Sequence, residues 1–241
     1  MKIAILSDLH ITHDGHPIWG VDTRLNLFKA VEHLRSIDNL SAIFILGDLA
    51  DDGLLATYKF VDEVFRNLGV PTYYCKGNHD SDAIYSCSFC QSHEVVDMDV
   101  WRFLFLDTTI PDADCPGKNC SRGRADIETI VNIQNTHNKR ICVLSHHPSL
   151  GVCSWLDRRI IENKFQLRDY FSENKDIILH IAGHIHFYSD QFERGVRYIT
   201  APSVGFALSP NMPQFTLAMG EDGFLLFDSS SYNAEIKLYR I

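Results

Sequence analysis

Five short clusters in this 241-residue chain carry residue types that can do chemistry. They are Asp8-Leu9-His10, Gly47-Asp48-Leu49-Ala50-Asp51, Gly77-Asn78-His79-Asp80, Ser145-His146-His147-Pro148 and Gly183-His184-Ile185-His186. Together they offer two carboxylates (Asp8, Asp48), one amide (Asn78) and four imidazoles (His10, His146, His184, His186). That donor set suits borderline divalent ions such as Mn, Fe, Zn, Co or Ni. Calcium would call for more oxygen and less imidazole. Seven donors exceed the shell of one ion and fit two ions that share a carboxylate. Asp8 and His10 stand two apart, as do His184 and His186, so each pair shares one face if its strand continues. Taken singly the fragments are ordinary. Asp-x-His is commonly a surface or core-edge pair, and Gly-Asn-His-Asp is rich in turn formers. The weight lies in their joint order, each just after an apolar run.

Those runs are the elements that must position the clusters. Lys2–Ser7, Ala42–Leu46 and Thr72–Lys76 read as strands. Helical spacing over Asp22–Ser36 and Leu54–Leu68 separates them, with Gly69 and Pro71 closing the second helix. Strand–helix–strand–helix–strand implies parallel pairing through right-handed crossovers. Further strands are expected at Val95–Val100, Trp101–Leu106, Arg140–Ser145, Ile177–Ala182, Val196–Thr200, Gln214–Met219, Gly223–Phe227 and Glu235–Tyr239, with Gly220–Gly223 as a hairpin turn. Helices are expected at Ala125–Thr136 and Gln166–Glu173, and segments 81–94 and 109–124 read as loops. Many strands with few helices point to an α/β (α+β) fold of two stacked sheets with helices outside. Ligands in parallel α/β sheets sit beyond the carboxyl ends of the strands, where all five clusters fall.

Residues 1–241 read as a single domain: no repeat, biased tract or linker interrupts them. Apolar runs stop at about five residues, against the ~20 that a membrane span needs, and no signal peptide is evident, which points to the cytoplasm. A formal charge of −9 argues against nucleic acid and anionic membrane as partners. Seven cysteines form an odd set without an export signal, which disfavours a disulfide framework. Cys87-x2-Cys90 with Cys115-x4-Cys120 could hold structural zinc, but the second spacing is loose and plain thiols are the stronger reading. His13, His16, His33, His93, His137 and His180 lack any comparable context, whereas His147 sits beside a candidate ligand.

The series Asp-x-His, Gly-Asp-x-x-Asp, Gly-Asn-His-Asp, His-His-Pro and Gly-His-x-His, spread over residues 3–188, resembles the calcineurin-like metallophosphoesterase superfamily. The likeness is closest to bacterial class III cyclic nucleotide phosphodiesterases and glycerophosphodiesterases. It rests on the full Gly-Asn-His-Asp, the Trp101–Thr108 strand ending Leu-Asp-Thr, the His-His-Pro and the Thr200-Ala-Pro-Ser stretch. Branches that begin Gly-Asp-x-His-Gly, or carry Arg where His79 stands, fit less well. The resemblance implies an αββα sandwich with two mixed β-sheets and a two-metal cleft. It implies that Asp8, His10, Asp48 and His186 hold one ion, and Asp48, Asn78, His146 and His184 the other. It implies that His79 faces the substrate phosphate, and that Asp51 and Asp80 orient ligands and the catalytic imidazole. Asn78, His79 and His147 are the expected substrate contacts, and His79 and Asp80 the expected catalytic pair.

The expected reaction is hydrolysis of a small phosphodiester, of cyclic nucleotide or glycerophosphodiester type, by a hydroxide held between the ions. His79, if protonated, would stabilise developing charge or protonate the leaving alkoxide. A phosphomonoesterase of the same fold, a non-catalytic binding protein on it, and a structural metal protein stand as alternatives. A scaffold would be expected to have lost ligands, and structural sites are normally closed and rich in cysteine.

Overall fold

A computed structural model describes residues 1–81, 95–111, 123–132, 139–229 and 234–241. The first apolar run forms β1 (Lys2–Leu6), and its side chains divide between two cores. Ala4 and Leu6 pack under α1 (Thr23–Arg35) and α2 (Leu55–Arg66). Ile3 and Ile5 enter a second core on the other face. A strand buried on both faces reads as an unbroken apolar run for this reason. β2 (Leu40–Leu46) repeats the division, with Ile43 and Ile45 toward the helices and Phe44 and Leu46 away from them. It pairs in parallel with β1 and with β3 (Thr72–Cys75), as the crossovers require.

The chain continues through β4 (Val95–Met98), β5 (Trp101–Leu106), β6 (Ile110–Pro111), β7 (Gly123–Arg124), α3 (Ile127–Asn132) and β8 (Arg140–Ser145). A 3-10 turn at Trp155–Arg159, α4 (Lys164–Glu173), β9 (Ile177–Ala182), β10 (Ser189–Glu193), β11 (Val196–Thr200), β12 (Gly223–Asp228) and β13 (Glu235–Arg240) complete it. One sheet has the order β13-β12-β1-β2-β3 and the other β10-β11-β9-β8-β5-β4. Both are mixed: parallel strands run through each, with antiparallel pairing at β12 and β13 in the first and at β4 and β10 in the second. Between the sheets Ile3, Phe44, Phe103, Leu144, Ile181 and Leu225 share one core, and the Phe44 and Phe103 rings meet at 5.0 Å. On the outer face of the second sheet Val143 and Ile177 pack with Leu167 and Phe171 of α4. The result is the αββα sandwich expected from the strand count.

Some expectations fail locally. Gln214–Met219 is not a strand: apart from a single Leu208–Leu217 bridge it is turn and loop, so Gly220–Gly223 leads into β12 without making a hairpin. The alternation there is too short to find a neighbouring strand to pair with. β10 was not legible, because SDQFE carries one apolar residue and is half exposed as an edge strand. Of the helix expected at Ala125–Thr136, Ile127–Asn132 is helical and 133–136 lie outside the described residues. Cys87, Cys90, Cys115, Cys120, His93 and His137 also lie outside them. No helix among the described residues is long and apolar enough to cross a membrane.

Candidate metal centre

β1, β2, β3, β8 and β9 end at Leu6, Leu46, Cys75, Ser145 and Ala182, and the five polar clusters follow directly. Backbone bonds knit the loops together. Asp8 N–H donates to Gly47 O (3.1 Å), His10 N–H to Asp48 O (2.9 Å), Gly183 N–H to His146 O (2.9 Å) and Val204 N–H to Ser7 O (2.9 Å). The clusters do not extend their strands. Asp8, His10, Asp48, His184 and His186 all adopt positive φ, from 46° to 71°. The expectation that Asp-x-His and His-x-His pairs converge by strand alternation is therefore corrected: left-handed turns bring them together. Non-glycine residues held there cost on the order of 1–3 kcal/mol each and persist only where the surroundings over-determine them. Two glycines permit the close approach. A Cβ on Gly77 would lie 2.1 Å from Asp48 Oδ1, and one on Gly183 1.8 Å from Ser7 Oγ.

The nitrogen geometry is specific. His186 Nδ1 donates to the Phe206 carbonyl (2.7 Å) and His10 Nδ1 to the Asp51 carboxylate (2.9 Å). Neither partner has a proton to give, so both Nδ1 atoms carry the hydrogen, and each Nε2 is bare when its ring is neutral. Those two Nε2 atoms face each other at 3.2 Å. His146 Nδ1 likewise donates to the Leu46 carbonyl (2.7 Å), which turns its Nε2 toward Asn78 Oδ1 (3.0 Å), His184 Nδ1 (3.2 Å) and Asp48 Oδ2 (3.4 Å). Asp8 Oδ1 lies 3.4 Å from His186 Nε2, and Asp48 Oδ2 lies 3.6 Å from His10 Nε2. Neutral rings so arranged turn lone pairs on one another, which repel unless a cation, metal ion or proton, intervenes, and ring N–H groups fixed by oxygen acceptors are the usual support of metal-binding imidazoles. The residues thus fit divalent ions. Asp8/His10/His186 and Asp8/Asp48/His146 each offer ligand atoms within 4.8 Å of one another, and so do His10/Asp48/His79 and His146/His147/His184.

Charge points the same way. Burial alone would raise the carboxyls of Asp8 and Asp48. Nearby imidazoles outweigh it, His186 for Asp8 and His146 for Asp48, and hold both well below the usual range. Burial opposes charge on His146, yet Asp48 and Asp8 push it up to about 9. Burial and then His146 push His184 down to about 3, and burial lowers His10. Two buried carboxylates therefore draw positive charge into the cluster. In the absence of ions a proton on His146 supplies it.

Around the cluster, His79 stands half-buried. Its backbone N–H donates to Asp48 Oδ1 (2.8 Å), its Nδ1 lies 3.3 Å from Asp51 Oδ1, and its ring meets that of His10 edge-on at 4.8 Å. Burial works against its charge, but Asp48 and the Asp51 bond prevail and push it up to about 9. Asp51 is the carboxylate that orients both His10 and His79. Asp80 faces elsewhere: it accepts from the N–H groups of Leu49 (3.0 Å), Ala50 (3.2 Å) and Gly77 (2.8 Å) and from the Tyr58 hydroxyl (3.0 Å). Those contacts clamp the second and third loops together. His147 is fully buried, with Nδ1 against Thr108 Oγ1 (2.9 Å) and its ring 4.4 Å from that of His184. Among the described residues His147 Nε2 and His184 Nε2 have no hydrogen-bond partner. His13, His16 and His33 are exposed, and His180 is a core histidine between Ser145 and Ser149.

Sequence reasoning missed Phe206, Leu46, Thr108 and Tyr58, which act on the cluster through a carbonyl, a ring or a hydroxyl. A backbone carbonyl leaves no trace in residue type. Only the Leu-Asp-Thr and Thr-Ala-Pro-Ser stretches, already noted as strand ends, pointed at Thr108 and at the loop before Phe206.

Comparisons with known proteins bear on the family and the fold. The family model for the calcineurin-like phosphoesterases matches residues 1–188. A 3′,5′-cyclic-nucleotide phosphodiesterase of Nostoc sp. is 25% identical over 239 residues, covering 94% of this chain and 86% of its own length. The 3′,5′-cyclic adenosine monophosphate phosphodiesterase CpdA of Pseudomonas aeruginosa is 28% identical over 219 residues, covering 88% of this chain and 79% of its own. Among solved structures, a dimetal phosphatase from Danio rerio superimposes with a TM-score of 0.67 at 13% identity, over 99% of this chain and 95% of its own. That likeness speaks for the fold alone.

Proposed function

The chain belongs to the calcineurin-like phosphoesterase family, and on that premise we propose that it is a metal-dependent phosphodiesterase acting on small diesters, 3′,5′-cyclic nucleotides foremost. The observation that carries the reading is the pair His10 Nε2 and His186 Nε2, turned on one another at 3.2 Å while each ring commits its Nδ1–H to an oxygen acceptor, beside two ionised carboxylates. In this assignment Asp8, His10, Asp48 and His186 hold one divalent ion, and Asp48, Asn78, His146 and His184 hold the other. Bound there, such ions supply an activated water and neutralise phosphate oxygens.

The chain's own residues do the rest. Asp51 fixes the His10 and His79 rings. His79, charged near neutral pH, is placed to bond a phosphate oxygen and to give its proton to the departing alkoxide. Asn78 and His147 line the remaining side of the cluster. None of the five motifs contains Lys or Arg, so a dianionic monoester finds no lysine or arginine there, beside His79, to match its second charge. A diester is the better fit, in keeping with the names of the relatives.

The test is a panel run with Mn²⁺ after chelation: cyclic nucleotides, glycerophosphodiesters and phosphomonoesters. Higher kcat/KM for bis(p-nitrophenyl) phosphate than for p-nitrophenyl phosphate, and for a 3′,5′-cyclic nucleotide than for its 5′-monophosphate, is expected. A monoester preferred in both pairs replaces this reading with a phosphatase. Asp48→Ala should remove more bound metal than Asn78→Ala.

A further inference from the structure

Beyond the metal cluster, one line of aromatic rings leads from it to the surface. The Phe206 ring lies 4.6 Å from that of His186 and 5.0 Å from that of His10. Phe215 follows at 6.5 Å from Phe206, and Trp19 at 5.0 Å from Phe215. Exposure grows along the line: Phe206 is 5% exposed, Phe215 40% and Trp19 68%. Phe206 is explained by its packing, but the two outer rings are left open to water.

The backbone that presents Trp19 is costly. Ile18 and Val21 exchange two backbone bonds, 3.0 and 2.9 Å, around Trp19-Gly20. Trp19 has φ 51° and Gly20 φ 84°, the dihedral signs of a type I′ turn. That turn favours Asn, Asp or Gly at its first central position, and a bulky residue there is an outlier. Ile18 and Val21 pack against the apolar cluster that contains Phe206 and Ile185, so the turn is anchored to the wall of the site. Phe215 is held from the other side, on a loop closed by Ser209 N–H to Thr216 O and Ala218 N–H to Ala207 O, both 2.9 Å. A strained turn that keeps an indole exposed over a second exposed ring is built to receive a planar group.

We propose that Trp19 and Phe215 form a stacking subsite for the nucleobase arm of the substrate, with the phosphate at the metal cluster. This rests on the phosphodiesterase reading. It adds that the molecule recognises its substrate by a neutral aromatic face. Stacking suits a base because every base has a π face, and it needs no charge in a protein of net −9. The line of rings continues from the metal ligands without interruption, which places a base and its phosphate on one path.

The experiment titrates Mn²⁺-loaded protein with adenosine 5′-monophosphate and, separately, with ribose 5-phosphate, which keeps the phosphate and lacks the base. Wild type should bind the nucleotide more tightly. Phe215→Ala and Trp19→Asn should each weaken nucleotide binding by about 5- to 100-fold, the range of base–aromatic stacking, with ribose 5-phosphate unaffected. Because Asn suits the turn, Trp19→Asn should keep or raise Tm while it loses affinity; a merely structural ring would move both downward. Trp19→Phe should restore much of the binding. Equal affinity for the two ligands in wild type, equal losses for both in the variants, or a change in oligomeric state with unchanged nucleotide affinity would each overturn the proposal. A wild type that turns over no diester but shows the base-dependent binding defeats the phosphodiesterase reading and leaves the subsite standing.

Discussion

His79 stands between two carboxylates and the edge of the His10 ring, and its charge follows from that position. Asp48 and Asp51 outweigh burial and push its pKa up to about 9, so it carries a proton in the range where an alkoxide would need one. His79→Ala should lower kcat by about 10²–10⁴-fold on an alkyl diester. The loss should be much smaller on a nitrophenyl ester, whose leaving group needs no proton, and bound metal should stay near two ions per chain. His79 also lies within ligand reach of His10 and Asp48. Elemental analysis of the variant therefore decides between proton donor and ligand: a lost ion, or equal losses on both leaving groups, defeats the proton-donor role.

At the scale of elements, the loops after β2 and β3 are held by Asp80, whose carboxylate gathers three backbone N–H groups and the Tyr58 hydroxyl. Removing it strands those donors, at about 1–3 kcal/mol for each left unpaired. Asp80→Ala should lower Tm and weaken Mn²⁺ binding together. A variant that keeps both and loses only kcat would show Asp80 acting in the chemistry instead. The loop after β8 is stapled by His180. Ser145 Oγ gives its proton to the His147 carbonyl, so it accepts from His180 Nε2–H, and His180 Nδ1 accepts from Ser149. This imidazole must stay neutral, and burial pushes it down to about 3. The unfolded ring takes its proton near the ordinary pKa of about 6.5. Between those values the unfolded state binds more protons, so stability should fall as pH drops below about 6.5, by roughly 1 kcal/mol per pH unit from this group. Acid unfolding of His180→Asn should be correspondingly less steep; an identical slope would remove His180 from the acid response.

For the molecule as a whole, the candidate ligands come from both sheets. Asp8, His10, Asp48 and Asn78 follow strands of the first, and His146, His184 and His186 follow strands of the second. Ions bound among them would tie the sandwich together at one end. Mn²⁺ at about a hundred times its Kd should then add about 2.7 kcal/mol per site, a rise in Tm on the order of 5–10 °C for each ion bound in a chain of this size. Thermal unfolding with and without chelator measures it, and an unchanged Tm would mean that ions do not bridge the sheets. β12 joins the same assembly from the far end of the chain: it pairs directly with β1, beyond the residues that match the family.

Residue type and order by themselves determined the family, through it the reaction class, and the alternation of strands with helices in the first half. Buried strands print as apolar runs, and metal chemistry admits few side chains, so both leave marks in a linear text. The αββα layering was likewise legible from the number of short strands. Tertiary structure alone decided how the donors meet. Asp8, His10, Asp48, His184 and His186 converge through left-handed turns, a conformation that no periodicity encodes and that only the packed loops can enforce. It decided the tautomers too, because the carbonyls of Leu46 and Phe206 select which imidazole nitrogen is bare, and a carbonyl is the same in every residue. It turned the expected strand at Gln214–Met219 into a loop that lays Phe215 beside Trp19, almost two hundred positions away, since a short alternating segment becomes a strand only where a neighbour offers it an edge.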